Sequence, residues 1–202
     1  MKRLNQTVLP KLALGLFTML LGASVARADF IDYELFDKHY HHAVSSFTDG
    51  GAKYTKSGGI ESFYHLNTTC NRVEHDTDTH YQTGVHTFTG QLKLIQVAGK
   101  ICIQIFNAKA SSFMAISGYS KDGGTLEKQG GDVVLATGVL NKWVKIKIVH
   151  DLNANTVTIY INDVKKYTAG GGKGGSFNLK YGNYGSGAPT ETQWKDAKWT
   201  TS

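Results

Sequence analysis

The segment KWVKIKIVHDLNANTVTIYIND, residues 142–163, alternates apolar and polar residues on either side of a short polar stretch. Valine or isoleucine occupies every second position from 144 to 148 and again from 157 to 161. Such alternation is typical of β-strands that bury one face. The DLNAN sequence in the middle contains the Asp and Asn residues that favour turns. The segment therefore predicts two antiparallel strands joined by a hairpin turn.

Similar stretches recur from residue 59 to the end of the chain. The further strand candidates are GIESFYHL (59–66), CNRVEHD (70–76), HTFTGQLKLIQ (86–96), KICIQIFNA (100–108), SFMAISGYS (112–120), DVVLAT (132–137), SFNLKYGNYGSG (176–187) and TQWKDAKWT (192–200). Only DYELFDKHYHH, residues 32–42, has a pattern that allows a short helical turn. Many short strands separated by Gly, Asn and Asp predict an all-β fold, a jelly-roll β-sandwich with a concave groove on one sheet.

The N-terminus has the pattern of an export signal. Basic residues within the first eleven positions precede an apolar stretch at 12–25, and small residues at 26 and 28 come before Asp29. This pattern predicts a cleaved secretory signal peptide at 1–28. The apolar stretch is shorter than the roughly 20 residues that span a membrane. We therefore expect a secreted protein, extracellular or periplasmic, with a single domain at 29–202 and no membrane partner.

Charge and composition exclude several classes of function. The signal contains four basic and no acidic residues, so its removal lowers the formal net charge from +6 to +2. Binding to nucleic acid requires clustered basic residues in the folded domain, and the sequence predicts no such partner. The glycine-rich GGGKGG at 170–175 precedes a strand candidate, whereas a phosphate-binding loop precedes a helix. The 41% hydrophobic and 19% charged composition is typical of a globular domain, which we expect to be monomeric.

The two cysteines, Cys70 and Cys102, predict a disulfide bond because exported proteins fold in an oxidising environment. Two buried free thiols are the alternative. Two isolated cysteines do not predict a metal site, and the three histidines of KHYHH, residues 38–42, fit no strong ligand spacing. We therefore expect no cofactor and no functional metal, although a structural calcium ion in a loop is compatible with a jelly roll.

Three strand candidates carry polar residues at every second position, as a strand that faces a groove requires. The alternating residues are Arg72, Glu74 and Asp76 in CNRVEHD, Gln104 in ICIQIFN, and Lys180, Gly182 and Tyr184 in SFNLKYGNYGSG. A solvated sheet surface would explain each strand by itself. Gly182 would also leave space for a sugar ring to approach the sheet.

Taken in order, the Arg-x-Glu, Gln-Ile and Lys-x-Gly-x-Tyr motifs resemble those of the jelly-roll polysaccharide lyases that cleave alginate and glucuronan. The sequence ETQWKDAKW at 191–199 also resembles the final strand of such domains, and the likeness extends from about Lys53 to the end of the chain. The resemblance implies a concanavalin-like sandwich that cleaves an acidic polysaccharide by β-elimination. Its substrate would be a polymer that contains uronic acids.

The resemblance also implies roles for individual residues. Arg72 and Gln104 would neutralise the uronate carboxylate, on which negative charge grows in the transition state. Tyr184 matches the catalytic tyrosine and would protonate the leaving oxygen. Phe106 stands where alginate lyases commonly have a catalytic histidine, so we expect His65 to be the base. Substrate binding is expected from Lys180, Glu74, His80 and Tyr119.

Some alternatives remain open at this point. His80 and His75 follow His65 as candidates for the base, and alternation predicts that His75 faces away from Arg72. Asp76 also replaces the second arginine of the family pattern.

Two other classes of function also fit parts of the sequence. The acidic residues of EHDTD, residues 74–78, resemble the catalytic strand of laminarinase-like glycosidases, in which Glu74 and Asp78 would be two carboxyls roughly 5 Å apart. A non-catalytic carbohydrate-binding module would instead stack sugars on aromatic side chains. Its candidates are Tyr184, Tyr119, Trp143 and Trp194.

Overall fold

A computed structural model describes the backbone of residues 26–28, 32–35, 38–41, 46–49, 51–66, 72–77, 80–108, 111–130, 133–185 and 189–202. Side chains are described within the same ranges from residue 51 onwards, with the exception of Ser111. These ranges contain seventeen strands and one short 3-10 helix, Lys121–Gly123. They contain no helix long and apolar enough to cross a membrane. Most of the signal peptide predicted at 1–28 lies outside the described residues, and its last three form a strand.

The strands in chain order are β1 Ala26–Ala28, β2 Asp32–Leu35, β3 Lys38–His41, β4 Ser46–Asp49, β5 Ala52–Ser57, β6 Ile60–His65, β7 Arg72–Asp76, β8 Val85–Gln96, β9 Ala98–Asn107, β10 Ser111–Tyr119, β11 Thr125–Lys128, β12 Val133–Thr137, β13 Val144–Asp151, β14 Thr156–Ile161, β15 Val164–Gly170, β16 Phe177–Tyr184 and β17 Thr190–Thr201. One sheet has the order β15-β14-β13-β8-β17-β6-β5-β4, with β1 paired to β17. The other has the order β12-β11-β10-β9-β16-β7-β2-β3. This arrangement confirms the predicted jelly-roll sandwich.

The hairpin predicted from residues 142–163 is present as β13 and β14. Ile148 pairs with Ile159 across the antiparallel ladder, and both side chains are buried. The helical turn allowed for residues 32–42 is wrong, because this segment forms the β2–β3 hairpin. Strands β1, β4, β5, β11 and β15 were not predicted, since their sequences are short or mostly polar.

The core lies between the two sheets and is filled by apolar side chains from alternate strand positions. Phe63, Phe88 and Trp194 are fully buried there. Trp194 packs edge-on against Phe88 and Tyr181, with ring centroids 5.6 and 5.4 Å apart. Trp194 therefore belongs to the core and has no surface on which a sugar could stack, contrary to its place in the carbohydrate-binding alternative.

Cys102 is also buried in this core, and its thiol is free. The Sγ atom donates a weak hydrogen bond to the Lys100 carbonyl oxygen at 3.5 Å. Burial raises the pKa of the Cys102 thiol to about 12. The predicted disulfide is therefore not formed at Cys102, and Cys70 lies outside the described residues.

Candidate functional site

Strands β9, β16 and β7 lie side by side and bring the three predicted motifs together. In the ladder, Lys180 pairs with Asp76 on one side and with Gln104 on the other. Paired residues on neighbouring strands project to the same side of a sheet. The side of this sheet that points away from the nine-stranded sheet, called here the outer face, therefore holds all three motifs. His75 lies on the core side, as alternation predicts.

A chain of hydrogen bonds on the outer face joins β10, β9 and β7. Ser112 Oγ donates to Gln104 Oε1, and Gln104 Nε2 donates to Glu74 Oε1 at 2.8 Å. Because both ends of the amide have partners, the orientation of the Gln104 side chain is fixed. Glu74 is completely buried. Its carboxylate is therefore poorly placed to serve as the nucleophile that the glycosidase alternative requires, and Asp78 lies outside the described residues.

A second polar group forms around Asp76. Lys180 Nζ lies 3.2 Å from Asp76 Oδ2, and Asn178 Nδ2 donates to Asp76 Oδ1 at 2.6 Å. The Lys180 ammonium also lies 5.0 Å from the centroid of the Phe106 ring. The two departures from the family pattern, Asp76 and Phe106, thus both contact the lysine of the third motif. Asn178 was not singled out in the sequence, although it precedes Lys180 by two positions and so shares its face.

Arg72 and Tyr184 form the accessible end of the outer face. They are paired in the β7–β16 ladder, and the Arg72 guanidinium lies 4.7 Å from the centroid of the Tyr184 ring. Both side chains are only half-buried, whereas Glu74, Gln104 and Lys180 are almost fully buried. A molecule that binds this face would therefore meet Arg72 and Tyr184 first. The six residues Arg72, Glu74, Asp76, Gln104, Lys180 and Tyr184 are called the face cluster below.

Gly182 lies between Lys180 and Tyr184 and has a backbone φ of 143°. A Cβ atom at this position would lie 2.3 Å from the Val73 carbonyl oxygen and 2.9 Å from a carbon of the Phe63 ring. The close approach of β7 to β16 is therefore sufficient to require glycine here. That Gly182 also makes room for a sugar stays a prediction.

Behind the face cluster, β7 and β16 carry polar side chains that point into the core. His75 Nδ1 lies 2.8 Å from the Tyr181 hydroxyl, which donates to Glu61 Oε2 at 2.7 Å. Tyr54 donates to Glu61 Oε1 at 2.9 Å. Because Glu61 belongs to the other sheet, these contacts tie the two layers together. Tyr54, Glu61, His75 and Tyr181 are called the buried network below.

The buried network determines the charge state of its members. Burial lowers the pKa of His75 to about 4, so the ring is neutral near neutral pH. Burial alone would raise the pKa of Glu61. The His75 ring in its protonated form and the Tyr181 hydroxyl outweigh that effect, with smaller contributions from Lys56 and Tyr54, and hold the pKa of this carboxyl below its usual range.

Other residues predicted for the site lie elsewhere. His65 is completely buried between the sheets, where Nε2 lies 3.2 Å from the Asn183 carbonyl oxygen. Its strand, β6, belongs to the nine-stranded sheet, so the fold does not bring it to the outer face. His80 is exposed in the connection between β7 and β8. Tyr119 lies at the far end of β10 from Ser112, beneath the Lys121 ammonium at 4.7 Å.

Two histidines that sequence analysis considered only as metal ligands are close to the face cluster in the ladder. In the β3–β2–β7 ladder, His39 pairs with Glu34, which in turn pairs with Glu74. His41 pairs with Asp32, which in turn pairs with Asp76. The pairing register therefore places both histidines on the rows that contain the carboxylates of the face cluster. Among the side chains that the structure describes, no three His, Cys, Asp or Glu residues form a group that could hold a metal ion. A structural calcium ion stays a prediction.

Comparison with known sequences gives one relative. No protein-family model matches the chain. The chain is 27% identical over 124 residues to a citrate-binding protein from Hevea brasiliensis, an alignment that covers 58% of this chain and 50% of the relative. The chain thus spans about half the length of that curated relative.

Comparison with solved structures gives a clearer result for the fold. An alginate lyase from Pseudomonas aeruginosa superposes with a TM-score of 0.66 at 11% identity, covering 86% of this chain and 100% of that one. A marine PL7 alginate lyase from Zobellia galactanivorans gives 0.61 at 14%, covering 85% and 94%. An alginate lyase in complex with dimannuronate gives 0.61 at 9%, covering 80% and 83%. These similarities confirm the predicted fold and the resemblance to jelly-roll polysaccharide lyases.

Proposed function

We propose that this chain is a secreted polysaccharide lyase that cleaves a uronic-acid polymer of the alginate or glucuronan type by β-elimination. The main support is the Arg72–Tyr184 pair at the accessible end of the face cluster, in a fold that resembles those of alginate lyases. Residues 1–28 would direct export, and residues 29–202 would act as a monomeric domain. The polymer would lie along the outer face.

The reaction requires stabilisation of negative charge on the substrate. Removal of the proton on carbon 5 of a uronate places additional charge on the oxygens of the adjacent carboxylate. Donors aimed at that carboxylate stabilise the transition state more than the ground state. The Arg72 guanidinium would provide the charge. Gln104 would contribute the second N–H of its amide, since the first is bound to Glu74.

The proton transfers need an acid and a base. Tyr184 would donate its phenolic proton to oxygen 4 as the bond between carbon 4 and oxygen 4 breaks. The base would take the proton from carbon 5. The electron pair of the broken carbon–hydrogen bond would then form the double bond between carbons 4 and 5. We assign the base to His39 or His41, because the ladder places these residues on the rows of Glu74 and Asp76. An imidazole suits this role near neutral pH.

The test is ultraviolet absorbance of the unsaturated product, with the purified chain and alginate, glucuronan and pectate in turn. We expect absorbance to rise with one of these polymers, and Tyr184→Phe to lower the rate about 10²- to 10⁴-fold without changing the thermal midpoint. Tyr167→Phe is the matched control, since Tyr167 lies on β15 of the other sheet. Flat traces with all three polymers, or equal rates in both variants, would contradict the proposal.

A non-catalytic protein that binds carboxylates is the second candidate. One observation favours it, the relative named as a citrate-binding protein. In this case, absorbance would stay flat while calorimetry detects binding of citrate or of a uronate oligomer. Arg72→Ala would then abolish the binding.

A further inference from the structure

The nine-stranded sheet also has a side that points away from the core, on the opposite side of the sandwich from the face cluster. This side combines lysines with aromatic rings. Trp143 lies just before β13, with Lys195 Nζ 4.5 Å and Lys93 Nζ 5.6 Å from its ring centroid. On β14, the Tyr160 ring has Lys147 Nζ 5.1 Å from its centroid. These cation–π contacts hold the ammonium groups beside the rings while leaving their charge near the surface.

Strand pairing concentrates the lysines in the middle of the sheet, on β13, β8 and β17. Gln91 on β8 pairs with Lys145 on one side and with Lys195 on the other. One row along, Thr89 pairs with Lys147 and Lys198. The set formed by Lys93, Lys145, Lys147, Lys195, Lys198, Trp143 and Tyr160 is called the basic face below.

Among the residues that the structure describes, carboxylates neutralise only part of this positive charge. Lys145 forms an exposed ion pair with Asp163, with Nζ 2.8 Å from Oδ1. Asp196 accepts a hydrogen bond from Gln91 at 2.9 Å, and Glu191 accepts one from Gln193 at 2.9 Å. Across the described ranges, no carboxylate forms an ion pair with the remaining lysines of the basic face. These lysines are therefore available to an external anion.

The shape of the basic face favours an extended ligand. A cavity of about 150 Å³ lies at its centre. The cavity is lined by Thr89, Gly90, Gln91, Lys145, Asp196 and Lys198. Pockets that enclose whole small molecules usually measure roughly 300–1,000 Å³. The cavity thus suits one charged substituent of a polymer, and the open surface of the sheet beside it suits the rest of that polymer.

We propose that the basic face is a second binding site, which holds an acidic polysaccharide away from the face cluster. The lysines that Trp143 and Tyr160 hold in place match carboxylates that repeat along a polymer. Thr87 and Thr89, which are half-buried, add hydroxyl groups that can bond to those of a sugar. The proposal shares the polymer class of the proposed function but does not require cleavage.

Affinity electrophoresis in gels containing alginate tests this site without turnover. Every protein carries Tyr184→Phe so that the polymer stays intact. Combining Lys93→Ala, Trp143→Ala and Lys195→Ala is expected to weaken the apparent affinity roughly tenfold. Lys121→Ala combined with Lys173→Ala removes the same charge from exposed positions outside the strands of the nine-stranded sheet and should leave the affinity unchanged. Circular dichroism checks that each variant is folded.

The outcomes separate this site from the proposed lyase activity. If only the triple variant loses binding, the result supports the basic face as a binding site. This holds even if the protein with the native Tyr184 cleaves none of the polymers. Equal losses in both lysine variants would show attraction by net charge and overturn the proposal, as would unchanged binding in the triple variant. Stronger retention of the Tyr184→Phe chain by duplex DNA or anionic vesicles than by alginate would also overturn it, because the preferred partner would then be a different class of molecule.

Discussion

The face cluster and the buried network lie on opposite sides of the same two strands, β7 and β16, yet they are built differently. The face cluster pairs residues within one sheet, such as Glu74 with Gln104, and its end at Arg72 and Tyr184 is accessible. The buried network joins both sheets through Glu61, whose carboxylate also forms an ion pair with the exposed Lys56. Alternate positions of one strand can therefore serve binding on one side and cohesion on the other.

This difference predicts separable effects of mutation. Polar groups in the buried network are costly to leave without partners, so changes there should lower stability. Changes at the accessible end of the face cluster should affect substrate instead.

The largest effect is expected from Gly182→Ala, which breaks both clusters together. The new Cβ would meet the Val73 carbonyl oxygen, a backbone atom that cannot move without separating β7 from β16. We expect a loss of about 3 kcal/mol or more of unfolding free energy, measured by urea denaturation. Gly170→Ala is the control, because nothing lies within 4 Å of a Cβ there. Equal stability of the two variants would show that β7 and β16 can separate at little cost.

Glu61→Ala tests the buried network alone. Removing this acceptor leaves the hydroxyls of Tyr54 and Tyr181 without their carboxylate, and we expect a loss of about 3 kcal/mol. Any cleavage rate of the folded fraction should stay the same, in contrast to Tyr184→Phe. Lys56→Ala is the control at the exposed end, where an ion pair contributes less than about 1 kcal/mol. If Glu61→Ala lowers the cleavage rate without lowering stability, the buried network serves the reaction and not stability, which contradicts the role given to it here.

The smallest effect near neutral pH is a dependence of stability on pH, which the buried network should cause and which grows only as the solution becomes acidic. The pKa of His75 is about 4 in the folded chain and 6.5 as a model value, so the unfolded chain binds a proton first as the pH falls. Stability should be constant above about pH 6.5 and fall by up to about 3 kcal/mol towards pH 4. Burial also lowers the pKa of His86 and His150, which adds to the same trend.

Denaturation curves at several pH values measure this loss. His75→Phe keeps a ring of similar size and removes the titrating group, while Tyr181 retains its hydrogen bond to Glu61. The variant should lose a smaller part of its stability between pH 6.5 and 4 than the native chain. An identical pH profile in both proteins would place the titrating groups elsewhere.

Sequence alone was sufficient for most of the strands after residue 59 and for which residues share a side of each of them. The period of two is a local property of extended backbone, so it could be read at residues 142–163 and in the alternation of Arg72, Glu74 and Asp76. The same alternation correctly put His75 on the other side. It also brought out the three motifs of the face cluster, which the fold then placed on adjacent strands.

Only the tertiary structure decided which strands are neighbours and which side of each sheet is covered. His65 lies on a strand with suitable alternation, but β6 joins the other sheet and points this histidine into the core. Trp194 and Cys102 are buried for the same kind of reason, while the pairing of β3 with β2 brings His39 and His41 onto the rows of the face cluster. Strand pairing depends on contacts between residues far apart in the chain, and a local pattern of period two contains no information about them.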